Sequence, residues 1–165
     1  MSKVVVTGLG CITPIGHSVT EFADSLFSNS PSDGVSNISL FKSDRVSCDV
    51  AAEVKGYEQS LYFSNSELKL LDRFSQFALI ASAEAIKQAN ISEFSSLGCR
   101  AGVIYGTGVG GQVTTEYSYQ QLYLHGKERS HPFTVPKLIP SAAASQISMK
   151  YGITGPSFCT SSACS

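Results

Sequence analysis

Three short apolar runs rich in β-branched or aromatic residues alternate along this chain with longer segments of helical pattern. Lys3-Val4-Val5-Val6-Thr7 is closed by Gly8-Leu9-Gly10, the pattern of a buried strand that feeds a loop. Ser18 stands at a helix N-cap position and Phe22, Leu26 and Phe27 follow near helical spacing, which predicts a short helix to Ser28. Residues 29–45, rich in Ser, Asn, Asp, Gly and Pro, read as a loop, and Val46 to Val54 as a strand or hairpin arm.

Ser64-Asn65-Ser66-Glu67 is a capping-box pattern, and no Gly or Pro interrupts Leu68 to Asn90, which predicts one long helix. Its middle, Phe77 to Ala83, has no charged face and calls for packing on more than one side. Ala101 to Tyr105 is a second apolar strand running into Gly106-Thr107-Gly108-Val109-Gly110-Gly111. A helix over 112–125 and a polar loop over 126–136 follow. Pro140 suits the first turn of a further helix that carries Ala142-Ala143-Ala144 and stops near Gly152. Ser157 to Ser161 is the third strand, and the sequence continues to Ala163-Cys164-Ser165. Strands alternating with helices indicate α/β with a largely parallel sheet.

Composition sharpens this picture. With 165 residues, 42% of them hydrophobic, the chain matches about one folded domain on a prior of roughly 150 residues each. Charged residues are only 15%, against an average of about 25%, too few to solvate a monomer's whole surface, so another subunit or domain is expected to cover part of it. Net charge is −1, which argues against nucleic acid or an anionic membrane as partner. The N-terminal apolar run is too short for a signal peptide and no stretch approaches a membrane span, so a cytoplasmic protein is expected.

Cysteines at 11, 48, 99, 159 and 164 form neither Cys-x-x-Cys pairs nor an even framework, so reduced thiols are expected, with no zinc site. Gly106-x-Gly108-x-x-Gly111 matches the dinucleotide fingerprint literally. It lacks the following strand with an acidic end, and the alternative is glycines that let backbone pass close to another element. Cys164 has two readings. One is a small buried hydrophobe. The other is a nucleophile on a small-residue turn past a strand, where a helix starting nearby would lower the thiol pKa by about two units and raise the thiolate fraction roughly thirtyfold. Cys11, Cys48, Cys99 and Cys159 read as small apolar residues, and His17, His125 and His131 as solvated surface groups.

Several of these segments together resemble the β-ketoacyl-ACP synthases of the thiolase superfamily, in particular the elongating KAS II-like branch. They are Val4 to Gly10 with Thr13-Pro14-Ile15-Gly16, Asp72-Arg73-Phe74 with Ala78 and Ala85, and Gly106 to Gly111. Pro132-Phe133 with Val135-Pro136, Tyr151-Gly152 with Gly155-Pro156-Ser157, and Ala163-Cys164-Ser165 complete the set, in order, over essentially the whole chain.

The resemblance implies a thiolase-like fold: a mixed five-stranded sheet flanked by helices, one half of a five-layer αβαβα architecture. On this basis residues 1–165 are expected to be the N-terminal half of a longer enzyme, inactive alone, since two histidines and a lysine come from the second half. Cys164 is expected to take an acyl group as a thioester. A carbanion from malonyl carrier protein then attacks it in a decarboxylative Claisen condensation, while backbone N–H groups hold the oxyanion.

By the same resemblance Val109 lies at the floor of the acyl pocket, and Thr134 lies near a dimer interface where the chain tip approaches. Phe133 and Ala163 belong with them as substrate-binding positions. Lys69, Lys127 and Arg129 present charge to the acidic acyl carrier protein, with Ser66, Leu70 and Glu128 where relatives often carry basic residues. The expected assembly is a homodimer or a ketosynthase heterodimer. No cofactor or metal is expected, because phosphopantetheine arrives on the carrier protein. The alternatives are a specialised-metabolism synthase, of aryl-polyene or aromatic-polyketide type, and a non-catalytic subunit like a chain-length factor, which typically lacks the nucleophile.

Overall fold

The computed structural model describes residues 3–30, 34–41 and 47–162. In chain order the elements are α1 (Val19–Leu26), β1 (Ser36–Asn37), β2 (Val50–Ala51), α2 (Asn65–Leu68), α3 (Arg73–Gln88), β3 (Val103–Gly106), α4 (Gln112–Tyr123), α5 (Thr134–Leu138), α6 (Ala142–Tyr151) and β4 (Ser157–Thr160). The chain divides into two compact units, residues 1–58 with 80–89, and residues 59–79 with 90–165. Helix α3 gives its first half to the second unit and its second half to the first.

The first unit is organised by one carboxylate. Glu84 on α3 accepts hydrogen bonds from the Cys11 N–H at 3.0 Å and the Val19 N–H at 2.8 Å, so it ties the loop after residue 10 to the start of α1. Ser18 caps α1 as its sequence position predicts, accepting from the Glu21 N–H, while Glu21 accepts from the His17 N–H at 2.7 Å. Burial, with Glu84 and Glu21 nearby, pushes the Cys11 thiol pKa up. β1 and β2 pair antiparallel, Ser36 opposite Ala51.

The run Lys3–Thr7 is not the buried strand its pattern predicts: Val4 is 98% exposed, Val5 69% and Val6 78%. Strand propensity expresses packing and pairing with neighbours more than an intrinsic backbone preference. Among the described residues no strand is hydrogen-bonded to this run.

The second unit is built on a parallel pair. β3 and β4 run in register from Val103 opposite Ser157 to Gly106 opposite Thr160. Helix α6 packs on them with Ala142, Ala143, Ala144 and Ile147, all buried, and the small side chains permit a close approach. Parallel ladders are normally covered on both faces. Here Val103 is buried, while Ile104 and its ladder partner Phe158 are 70% and 50% exposed, which leaves one face uncovered.

The long helix expected from Leu68 onward is two helices. The capping box at Ser64 forms, but α2 ends at Leu68, and α3 begins at Arg73 after Asp72. The Asp72 side chain accepts from the Phe74 N–H at 3.2 Å, so it starts a new helix instead of continuing the old one. The segment expected as a loop to residue 136 already turns helical at Thr134. Cys48 and Cys99 are exposed rather than packed inside as small apolar residues usually are; Cys11 and Cys159 are partly buried.

Candidate functional site

The site is laid out around the Gly106–Gly111 loop, which leaves the end of β3. Two bonds hold the loop to β4 and the residue after it: the Thr107 N–H donates to the Thr160 carbonyl at 3.2 Å, and the Ser161 hydroxyl donates to the Gly108 carbonyl at 3.2 Å. The chain leading from β4 toward Cys164 is thereby fixed against the loop that carries Val109. Val109 itself is 60% exposed.

The other end of the loop is fixed by close backbone packing. Gly110 has φ of +82° and donates to the Thr107 hydroxyl oxygen at 3.2 Å. The Gly111 N–H donates to the Leu138 carbonyl at 2.9 Å, and a Cβ at Gly111 would meet Leu138 Cα at 2.6 Å and the Lys137 carbonyl oxygen at 2.8 Å. Gly110 and Gly111 serve a close approach, whereas nothing lies within 4 Å of a Cβ at Gly108. The contact joins the Val109 loop to the C-terminal end of α5, which begins at Thr134 immediately after Phe133.

Gly111 stands at the N-cap of helix α4 and has no side chain to cap it. Asp72, 3% exposed, supplies the missing acceptor: its Oδ2 takes the Thr114 N–H at 2.7 Å. One buried carboxylate therefore serves the first turns of α3 and α4 together, and its negative charge faces the positive end of each helix dipole. Phe74 and Tyr105 rings lie 6.1 Å apart beside it in sequence and on β3, and burial pushes the Tyr105 hydroxyl pKa up, with Cys159 adding to the shift.

A cavity of about 570 Å³ opens between α4 and the segment that leads into α5. Lys69, Lys127, Arg129 and Thr134 all line it, so four of the sequence-selected positions come together there. Lys137 and His131 line it too. His131 Nδ1 accepts from the Phe133 N–H at 3.2 Å, and the two rings lie 5.6 Å apart, which braces Phe133. Val109 and Phe133 are not among the lining residues; Phe133 is 46% exposed. Ala163 and Cys164 lie outside the described residues.

Three of these residues carry little or no functional signal in the sequence. Asp72 entered only as part of a resembling motif, although an Asp just before an apolar run is a helix-start signal. Lys137 carried no signal, because only the turn between α4 and α5 brings it beside Lys127 and Arg129. His131 is exposed, as expected of a surface histidine, yet it contributes to the cavity wall. Among the described residues no cluster of His, Cys, Asp and Glu could hold a metal ion, and no helix is long and apolar enough to cross a membrane.

A parallel strand pair is backed by a small-residue helix, and a glycine loop is locked to the strand ends. Solved ketosynthases share this thiolase-like α/β fold. The chain superimposes on the ishigamide ketosynthase/chain length factor with a TM-score of 0.83 at 24% identity, covering 98% of this chain and 40% of that one. It superimposes on a type II PKS ketosynthase, solved with its acyl-carrier protein and bound to the hexaketide, with a TM-score of 0.72 at 22% identity, covering 96% of this chain and 42% of that one.

The family model for the β-ketoacyl synthase N-terminal domain matches residues 1–165, and the chain belongs to the β-ketoacyl synthase family. It is 34% identical over 162 residues to a 3-oxoacyl-[acyl-carrier-protein] synthase 2 of Staphylococcus aureus (strain COL), covering 98% of this chain and 39% of that protein. The chain thus spans well under half the length of this relative.

Proposed function

We propose that this chain is the N-terminal half of a 3-oxoacyl-[acyl-carrier-protein] synthase that elongates acyl chains in fatty-acid or polyketide synthesis, with Cys164 as its nucleophile. The observation that carries this reading is the locking of β4 to the Val109 loop through Thr107, Gly108, Thr160 and Ser161. By the family resemblance, Ala163-Cys164-Ser165, which follows this junction in sequence, carries the nucleophile, and Val109 limits the acyl chain.

The chemistry follows from those positions. The Cys164 thiolate attacks the carbonyl of an acyl carrier thioester, the carrier thiol leaves, and the acyl group rests on sulfur. Malonyl carrier protein loses carbon dioxide, its carbanion forms the new carbon–carbon bond at the acyl carbonyl, and the carbon–sulfur bond to Cys164 breaks. Two histidines and a lysine for decarboxylation come from the second half of the enzyme, and the 165 residues alone are inactive. Val109, Phe133, Thr134 and Ala163 line the acyl path. Lys69, Lys127 and Arg129 dock the acidic carrier protein, which brings its own phosphopantetheine, so no other cofactor takes part. The working enzyme is a cytoplasmic dimer, and part of the face around Ile104 and Phe158 is covered by the rest of the protein.

A second reading within the fold rests on the thin basic surface, where Ser66, Leu70 and Glu128 flank the cations. It is a specialised-metabolism synthase served by its own carrier protein. Condensation assays on the full-length enzyme with several acyl and malonyl carrier proteins test both readings. Turnover that needs Cys164 supports a synthase, and the preferred carrier protein separates housekeeping from specialised synthesis. Turnover that survives Cys164→Ala removes the proposal.

A further inference from the structure

We infer that Asp72 is a positioning residue for acyl-chain selection, acting not by touching substrate but by holding the start of α4 and, through Gly111, the loop on which Val109 sits. The inference rests on the proposed function, which assigns Val109 and Thr134 to the acyl path.

Asp72 is itself a fixed point of its unit. Its backbone carbonyl accepts from the Gln76 N–H at 3.0 Å, and the Gln76 side-chain amide donates to the Leu71 carbonyl at 3.3 Å. Leu71 and Gln76 are buried with it. From this base Oδ2 reaches the Thr114 N–H, and it lies so close to Gly111 that a Cβ there would stand 3.1 Å away. The missing side chain lets the carboxylate close on the first turn of α4.

Gly111 passes that position on in both directions. Its carbonyl accepts from the Thr115 N–H at 3.1 Å and the Thr115 hydroxyl at 3.0 Å, which binds it to α4. Its N–H donates to the Leu138 carbonyl, which binds it to α5, the helix that Thr134 begins. Val109 therefore hangs between two anchors. One is β4 and Ser161, through Thr107 and Gly108; the other is Gly111, and it leads to Asp72. A bond of 2.7 Å to an ionised carboxylate is the strong kind, so loss of the Asp72 charge weakens the second anchor and leaves the first intact. Val109 then gains room to move aside for a longer chain.

Asp72→Asn in the full-length enzyme is the test, because it keeps the size of the side chain and one acceptor oxygen but removes the charge. Initial rates with acyl carrier thioesters of increasing length, taken below each variant's own melting midpoint, give kcat/KM for long and short primers. A purely structural role lowers the active fraction and scales every primer alike. The expected result is a rise of about tenfold in the ratio of long-primer to short-primer kcat/KM, the scale on which one methylene is discriminated in an apolar pocket. The rise is expected to disappear when Asp72→Asn is combined with Val109→Ala, which has already removed the obstructing bulk. Hydrogen exchange followed by mass spectrometry adds a readout independent of turnover, with faster exchange expected over residues 106–111 and unchanged exchange in α6. Thr114→Pro removes the same bond from the donor's side, in a first helical turn where proline is tolerated, and takes the place of Asp72→Asn if melts show that variant unfolded.

A uniform loss across all primers, a ratio shift that persists in full beside Val109→Ala, or unaltered exchange over residues 106–111 overturns the inference. A primer profile that shifts in Val109→Ala but not in Asp72→Asn overturns it alone. A profile unmoved by Val109→Ala removes Val109 from the acyl path and takes this inference with it. Turnover that survives Cys164→Ala is a different failure, since it strikes the proposed function itself.

Discussion

Asp72 accepts the Thr114 backbone N–H at 2.7 Å across 42 positions of sequence, and so caps a helix to which it does not belong. Its other oxygen caps its own helix at Phe74. Asp72→Ala leaves a buried donor at Thr114 and a part-buried one at Phe74 unmet, and is expected to destabilise the full-length enzyme by about 3 kcal/mol. Asp72→Asn keeps one acceptor oxygen and is expected to cost about half as much. Denaturant melts measure both, and an unchanged midpoint in Asp72→Ala contradicts the double cap.

Gly111 and Gly108 sit in one loop but meet different surroundings. Gly111→Ala drives a methyl into the backbone of Leu138 and Lys137, whereas nothing lies within 4 Å of a Cβ at Gly108. The first substitution is expected to lower Tm by several degrees, on the scale of an overpacked core position at about 1 to 3 kcal/mol, and Gly108→Ala to leave it nearly unchanged. Equal effects in the two would show that close packing against α5 does not fix the loop.

Val109 is expected to set product length. Val109→Phe fills space that the acyl chain would use and shortens the longest accepted primer; Val109→Ala lengthens it. One methylene in an apolar pocket discriminates by about 1 to 3 kcal/mol, so the profile shifts by two or more carbons rather than disappearing. Chromatography of products from a series of acyl primers reads the shift, and an identical profile in both variants removes Val109 from the acyl path.

The Ser64 backbone N–H, and after it the Ser64 hydroxyl, hold the Glu67 carboxyl below the usual glutamate range. A depressed carboxylate pKa contributes stability that is present in full above the unfolded value and is lost as pH falls through the folded one. Ser64→Ala removes the hydroxyl but keeps the backbone donor. The Glu67 titration midpoint, followed by carboxyl carbon NMR, is therefore expected to rise part of the way toward that of a free glutamate. A midpoint indifferent to Ser64→Ala contradicts the capping box.

Much of this fold is legible in the sequence where a local signal and the tertiary partner agree. Ser18 caps α1, the apolar runs at Val103 and Ser157 pair in parallel, and α6 presents its alanines to that pair. Local sequence misleads where the deciding partner is distant. Nothing local in Leu68 to Asn90 outweighs helix propensity except Asp72, whose second bond goes to Thr114. Val4-Val5-Val6 has strand composition without a paired strand among the described residues.

The site was legible in the same uneven way. Lys69, Lys127 and Arg129, named by the family resemblance, line one cavity, while Lys137 joins them only because α5 turns back beside α4.

The central claim is that Cys164 carries the acyl group. Incubation of the full-length enzyme with an acyl carrier thioester, followed by intact mass and peptide mapping, tests it directly. The expected result is one acyl group per active chain on the peptide containing Cys164, absent in Cys164→Ala, with Cys11 left unmodified because its raised pKa suppresses the thiolate. An acyl group on any other residue, or a stable full-length enzyme that condenses acyl chains without ever acylating Cys164, contradicts the account.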